Sequence, residues 1–246
     1  MKIIFFEGFD PSVLRGSTLI TGFQGFGLVG YLSSRHIASQ LGLRKVGFIR
    51  TRSFPETTAY ADDYGVVYPF EIYYGEPERP GLKLTVLVNN ATPTVRDRTD
   101  YAEAVARWAK EAGISRAILI GGLDPSLREG DERYKWIPMG GYSEKLQAPM
   151  LVNRHIIGPL ALLIMFMDAY RVPGVAIFVY TELYKPDLRA SATAVEIVGE
   201  LLGLKIDAAK LLEGAQLIES LEAEREKLAK IVEGEVVGKK HQQMYI

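Results

Sequence analysis

Thr18-Leu19-Ile20-Thr21-Gly22-Phe23-Gln24-Gly25-Phe26-Gly27-Leu28-Val29-Gly30 is the stretch that decides the fold. A short β-type run leads into a glycine-rich turn, and a helical pattern then runs from about Val29 to Leu41. This is the start of a strand-turn-helix unit. The same alternation recurs downstream, with strand candidates at Val46 to Ile49, Leu84 to Val88, Ala117 to Ile120 and Val175 to Val179. Most of these runs are apolar on both faces, as expected of a parallel sheet covered by helices on both sides. Further helices are expected at about Asp97 to Ala112, Pro159 to Tyr170 and Asp187 to Leu202, the last announced by Lys185-Pro186. The expected fold class is therefore α/β, a mostly parallel, doubly wound sheet flanked by helices.

Two regions depart from that rhythm. Between Val66 and Tyr74, the residues Tyr68, Phe70, Ile72 and Tyr74 alternate on one face and Pro69 lacks a ladder donor, which predicts an edge strand or a hairpin arm. After Gly203-Leu204 the pattern becomes one long helix from about Asp207 to Glu233, with Leu211, Ala215, Ile218, Leu221, Leu228 and Val232 on one face. Gly234 and Gly238 break it, and a polar stretch ends in Met244, Tyr245 and Ile246. The expected organisation is an α/β core over 1–204, a C-terminal helix over 205–233 and a flexible tail over 234–246.

Composition narrows the function classes. The 246 residues are 48% hydrophobic and 24% charged, enough for one large α/β domain with an appendage. Lys and Arg number 29 against 30 for Asp and Glu, with no block of like charge, so neither nucleic acid nor an anionic membrane is favoured as a partner. Cysteine is absent, which removes disulfides, thiol nucleophiles and thiolate metal sites and suits a reducing cytoplasm. Asn and Gln are scarce beside Glu, Lys and Arg, a balance found in proteins of hot environments. The N-terminal Met1 to Phe6 turns acidic at Glu7, before an export signal develops, and a cytoplasmic location is expected. The longest apolar run, Ile156 to Met167, is 12 residues and contains Gly158 and Pro159, too short for a membrane span. It reads as a buried helix or a subunit interface.

Gly25, Gly27 and Gly30 form a G-x-G-x-x-G between strand and helix, the arrangement that cradles a pyrophosphate on a helix N-terminus. A dinucleotide site would also want an acid about 20 residues on. That region offers Arg50, Thr51 and Arg52, with no acid before Glu56; the arginines would suit a 2′-phosphate instead. In the packing alternative, the glycines make a tight turn and Gly30 lets the helix sit close on the sheet. No G-x-x-x-x-G-K-[ST], G-x-S-x-G or H-E-x-x-H occurs, and His36, His155 and His241 stand far apart. No catalytic, cofactor or metal residue is assigned. A crevice at the strand ends, with Arg96, Arg98, Gly121, Gly122, Tyr180 and Glu182 around it, is the remaining small-molecule candidate; Asp97 or Thr99 would cap the helix there. The terminal Met244-Tyr245-Ile246 presents an apolar residue, a tyrosine and a carboxylate on a tether, a form also read by PDZ-type domains.

The sequence resembles the archaeal members of the proteasome assembly chaperone 2 family. The resemblance rests on Gly22-Phe23-Gln24-Gly25-Phe26-Gly27-Leu28-Val29-Gly30, on Ile120-Gly121-Gly122, and on Leu201-Leu202-Gly203-Leu204-Lys205-Ile206-Asp207 leading into the charged terminal helix. The first loop reads Gln24-Gly25-Phe26-Gly27 where a Pro-Asp-Ala-Gly-like stretch is the family's pattern. The resemblance implies a nucleoside phosphorylase-like fold, a homo-oligomer with a tetramer as the expected order, and no nucleotide hydrolysis. It also implies binding to proteasome core-particle α-subunits, in assembly or as an ATP-independent activator, through a C-terminal hydrophobic-Tyr-X motif that falls on Met244, Tyr245 and Ile246. The alternative is a nucleoside phosphorylase-like or nucleotide-binding enzyme using the Gly-rich loop with Arg96 and Arg98.

Overall fold

The computed structural model of the chain describes residues 1–62 and 65–220. Its strands, in chain order, are β1 (Lys2–Phe5), β2 (Thr18–Gly22), β3 (Arg44–Arg50), β4 (Tyr60–Ala61), β5 (Gly65–Val66), β6 (Phe70–Gly75), β7 (Leu84–Asn89), β8 (Arg116–Leu123), β9 (Tyr134–Met139) and β10 (Gly174–Tyr180). The helices are α1 (Val29–Gln40), α2 (Arg98–Ala112), α3 (Pro159–Ala169), α4 (Leu188–Leu202) and α5, which spans 209–220 within the described residues. All but β4 and β5, a small separate hairpin, join one eight-stranded sheet in the order β1-β3-β6-β7-β2-β8-β10-β9.

The centre of that sheet is parallel: β7, β2, β8 and β10 run together, and every residue of β2, β7 and β10 is buried. Side chains alternate strictly between the two faces. In β8, Ala117 and Leu119 face one core while Ile118 and Ile120 face the other; in β10, Ala176 and Phe178 oppose Val175, Ile177 and Val179. One face is closed by α2 and α3, through Tyr101, Val105, Leu163 and Met167. The other is closed by α1 and α4, through Val29, Ile37, Val195 and Val198. The result is three layers, as the alternation of doubly apolar strands with helices requires.

Antiparallel strands extend the parallel centre on both sides. On one side come β6, β3 and β1, and on the other β9. The apolar run Val46 to Ile49 is thus a strand, but an antiparallel one, because strand direction is set by connection length rather than by hydropathy. The edge-strand reading of the segment around Phe70 is corrected: β6 pairs with β3 on one side and β7 on the other, so it is interior, and its hairpin-arm role with β7 holds. Pro69 precedes the strand and removes no ladder bond. Glu71 is buried there because Lys45 lies 2.7 Å away and Tyr73, Asn90 and the Tyr68 amide donate to its oxygens.

Past Gly203, Asp207 opens α5 by accepting from the Ala209 amide at 2.9 Å. Leu211 and Ala215 turn inward, and Arg189 of α4 holds Glu219 at 2.6 Å. The expected continuation of this helix to Glu233 and the tail over 234–246 lie outside the described residues.

Candidate functional site

The site begins where the chain leaves β2. Phe26, Gly27 and Leu28 make a single tight turn, with Gly27 at φ 59° and Leu28 at φ 53°. The left-handed region costs a branched residue such as Leu28 roughly 1–2 kcal/mol. Leu28 is held there by what surrounds the turn. The Thr181 hydroxyl fills the space where a Cβ of Gly27 would project, and the Asp187 amide donates to the Gly27 carbonyl at 2.9 Å. Asp187 in turn caps α4 by accepting from the Ala190 amide at 2.9 Å, and accepts from Thr181 Oγ1 at 3.0 Å. Gly30 then rests on Gly22 and on the Ile120 carbonyl, with no room for a side chain. These contacts are what the packing alternative requires of the glycines: a crossing of α1 over β2 and β8 closer than any Cβ permits.

Below the turn lies a buried polar network. Thr21 Oγ1 donates to the Leu87 carbonyl at 2.7 Å, and Asn89 Nδ2 donates to Thr21 Oγ1 and the Gly22 carbonyl. The Tyr101 hydroxyl donates to Asn89 Oδ1 at 2.6 Å; full burial pushes that phenol well above its ordinary pKa. Hydropathy alone does not reveal this network, because Asn89 and Tyr101 meet only once β7 and α2 are packed.

Beside the turn, at the carboxyl ends of β2, β8 and β10, a cleft of about 370 Å³ opens. Phe23, Phe26, Leu127, Leu151, Ile157 and Phe178 form its apolar walls, Gly121 and Gly122 its floor, and Arg154 and His155 its rim. Open α/β sheets place ligands at such ends. Of the crevice residues expected from sequence, only the two glycines line it. Arg96 is exposed and outside the cleft, and Arg98 Nε donates to the Pro93 carbonyl at 3.1 Å. Asp97 occupies the cap position of α2 but makes no capping bond, since its carboxylate accepts from the Ser53 amide at 2.7 Å.

Tyr180 and Glu182 belong to a second hollow of about 360 Å³, shared with Lys185, Arg189, Ala215 and Ile218 beside α5. Glu182 pairs with Lys185 at 3.7 Å. The Tyr180 hydroxyl donates to Glu132 at 2.6 Å, and Arg128 stacks 4.5 Å over its ring. That bond draws the Glu132 pKa down to about 2, while burial first and Glu132 second push the Tyr180 phenol up. The fold thus separates residues that sequence reasoning grouped, because Arg96 and Arg98 follow β7 while Tyr180 ends β10 and Glu182 follows it, with β2 and β8 lying between the two strands. Among the described residues no group of three or more His, Asp or Glu side chains is placed to hold a metal ion, and no helix is long and apolar enough to cross a membrane. Met244, Tyr245 and Ile246 lie outside the described residues.

Fold and site together define a three-layer α/β protein whose glycine motif is a packing device and whose open surface at the strand ends is apolar. The chain belongs to the PAC2 family, whose model matches residues 19–226. An uncharacterized protein of Methanocaldococcus jannaschii is 25% identical over 239 residues, covering 94% of this chain and 92% of its own. Among solved structures, Pyrococcus furiosus PbaA, described as an archaeal homolog of proteasome-assembly chaperone, superposes with a TM-score of 0.78 at 18% identity, over 100% of this chain and 99% of its own. Pyrococcus furiosus PbaB, described as an archaeal proteasome activator, superposes with a TM-score of 0.74 at 21% identity, over 92% and 98% of the two chains.

Proposed function

We propose that the protein is a proteasome-binding assembly chaperone homologue or ATP-independent activator, not an enzyme, that docks on core-particle α-subunits through Met244, Tyr245 and Ile246. The observation that carries this reading is the pairing of PAC2 membership with a Met-Tyr-Ile sequence on a polar tether. That an archaeal proteasome activator shares the fold supports it. Tyr245 supplies a rigid ring with a polar tip, and Met244 packs adaptably. In this reading 205–233 is a helix that lifts a tail over 234–246, and the 12 residues after Gly234 reach up to ~40 Å when extended.

One such tail binds weakly, so the protein acts as a cytoplasmic homo-oligomer, a tetramer, that presents several tails at high effective concentration. The exposed side of α3, where Met165 is 57% exposed on an almost wholly apolar helix, supports self-association. The test is a pull-down of assembled core particles and of free α-subunits by the parent, by a form lacking Met244 to Ile246, by Tyr245→Ala, and by a form with two residues added after Ile246. Only the parent is expected to bind. Equal capture by all four overturns docking through the tail.

A further inference from the structure

The apolar cleft beside the glycine turn has no role in the reading above, yet the topology of the sheet puts it where a ligand belongs. β2 and β8 are parallel neighbours. The chain leaving β2 enters α1 on one face of the sheet, whereas the chain leaving β8 reaches α3 on the other. Loops that part in this way open a crevice at the carboxyl ends of the two strands, the position at which open α/β sheets bind small molecules. The cleft of about 370 Å³ lies in that crevice, and its size falls within the ~300–1,000 Å³ usual for such sites. Phe23 behind β2, Leu160 on α3 and Phe178 on β10 are buried walls, and Phe26 and Ile157 stand at the mouth.

The lining decides the chemistry of the occupant. Its polar side chains are Gln24, Arg154 and His155, and the Gln24 amide already donates to the Asn90 carbonyl at 2.8 Å. No carboxylate, hydroxyl or uncommitted amide donor is left inside to read a sugar or a base. Among the described residues no Asp or Glu lines the cleft, and neither Arg154 nor His155 has an ion pair or a side-chain hydrogen bond. The first turn of α3 opens at the same place, with Gly158 as its N-cap and no side-chain cap, and contributes partial charge of the same sign. The interior is thus hydrocarbon and the mouth positive. Ile157 is 77% exposed and Phe26 42% exposed, apolar surface that a hydrocarbon chain in the cleft would take out of water.

We propose that this cleft binds a medium-chain fatty acid, its hydrocarbon chain against Phe23, Leu160 and Phe178 and its carboxylate in the mouth beside Arg154 and His155. At ~30 Å³ per water-sized group, the cleft takes a chain of roughly 8–12 carbons. A carboxylate at the mouth keeps its hydration, so it avoids the cost of burying a charge. The chain supplies the affinity, and the exposed cations select the sign of the polar end. The site rests neither on the tail nor on proteasome binding.

The experiment is isothermal titration calorimetry of the full chain at fixed pH and ionic strength, with hexanoate, octanoate, decanoate and 1-octanol as titrants below their micellar concentrations. Decanoate is expected to saturate at one molecule per chain, and affinity to rise about fourfold for each methylene from hexanoate to decanoate. Octanoate should bind more tightly than 1-octanol. Arg154→Gln should weaken octanoate about two- to fivefold, the effect of losing an exposed ion pair, and leave 1-octanol unchanged. Ile157→Asp puts a like charge and a polar group at the mouth and should weaken decanoate at least about tenfold. Both side chains are exposed, so these variants fold, and an unchanged melting temperature verifies it. The proposal is overturned if decanoate gives no saturable heat, if affinity does not rise with chain length, if 1-octanol binds as tightly as octanoate, or if Ile157→Asp binds decanoate as the parent does. A second copy of the chain seated in the cleft gives a different pair of results, no decanoate binding and a lower molar mass for Ile157→Asp by light scattering, and that pair also overturns it.

Discussion

Gly30→Ala and Gly25→Ala test whether the glycine motif is a packing device or a ligand cradle. At Gly30 an added Cβ meets the Ile120 carbonyl oxygen, and Gly22 Cα and the Phe23 amide nitrogen at 2.9 Å each. All three are backbone atoms of the sheet, so no rotamer change relieves the contact and α1 must lift from β2 and β8. Overpacking of this kind typically costs ~1–3 kcal/mol, against which alanine returns only ~0.5–1 kcal/mol of helix propensity. A net loss of about 1–2 kcal/mol lowers the melting temperature by roughly 2–8 °C for a chain of this size. At Gly25 nothing lies within 4 Å of the new atom and φ is −113°, a value any residue adopts. Gly25→Ala is therefore expected to be neutral within ~0.5 kcal/mol or slightly stabilising, through the unfolded chain. Urea unfolding followed by the fluorescence of the buried Trp108 and Trp136 reads both variants. Equal destabilisation by the two substitutions, or none by Gly30→Ala, refutes the close-crossing explanation.

Tyr101→Phe leaves Asn89 Oδ1 buried without its 2.6 Å donor and should cost about 1–3 kcal/mol in the same assay. Glu71→Ala removes the buried carboxylate that Lys45 pairs with and that Tyr73, Asn90 and the Tyr68 amide donate to, and is expected to cost roughly 3–5 kcal/mol, the usual loss on breaking a buried pair. Tyr180→Phe should return the Glu132 pKa from about 2 towards the ordinary carboxylate value, a change visible by NMR titration. Because the folded-state pKa is depressed, Glu132 contributes stability above the ordinary carboxylate pKa and loses it as pH falls towards 2; the variant should therefore be less stable than the parent above about pH 5, and the two should converge as pH falls towards 2.

Much of this fold is determined by sequence alone. Thr18 to Ile20, Leu84 to Val88, Ala117 to Ile120 and Val175 to Val179 are apolar on both faces, and only a sheet with helices on both sides can bury them. The limits of α1 to α4 were legible within a residue or two, because caps such as Asp187 and breaks such as Gly113 and Gly203 act through local backbone chemistry. What tertiary structure decided is what depends on residues distant in the chain. Strand direction and order were of this kind, so β3 proved antiparallel and β6 interior, while β1 and β9, short and mixed in pattern, became strands only by pairing. The crevice residues share strand ends in a linear reading, yet the order β7-β2-β8-β10 leaves Tyr180 and Glu182 at one hollow, Gly121 and Gly122 at another, and Arg98 at neither. The meaning of the glycines was also tertiary. A G-x-G-x-x-G spells the same whether its backbone faces a phosphate or the Ile120 carbonyl, and only the packing of α1 on β8 makes that distinction.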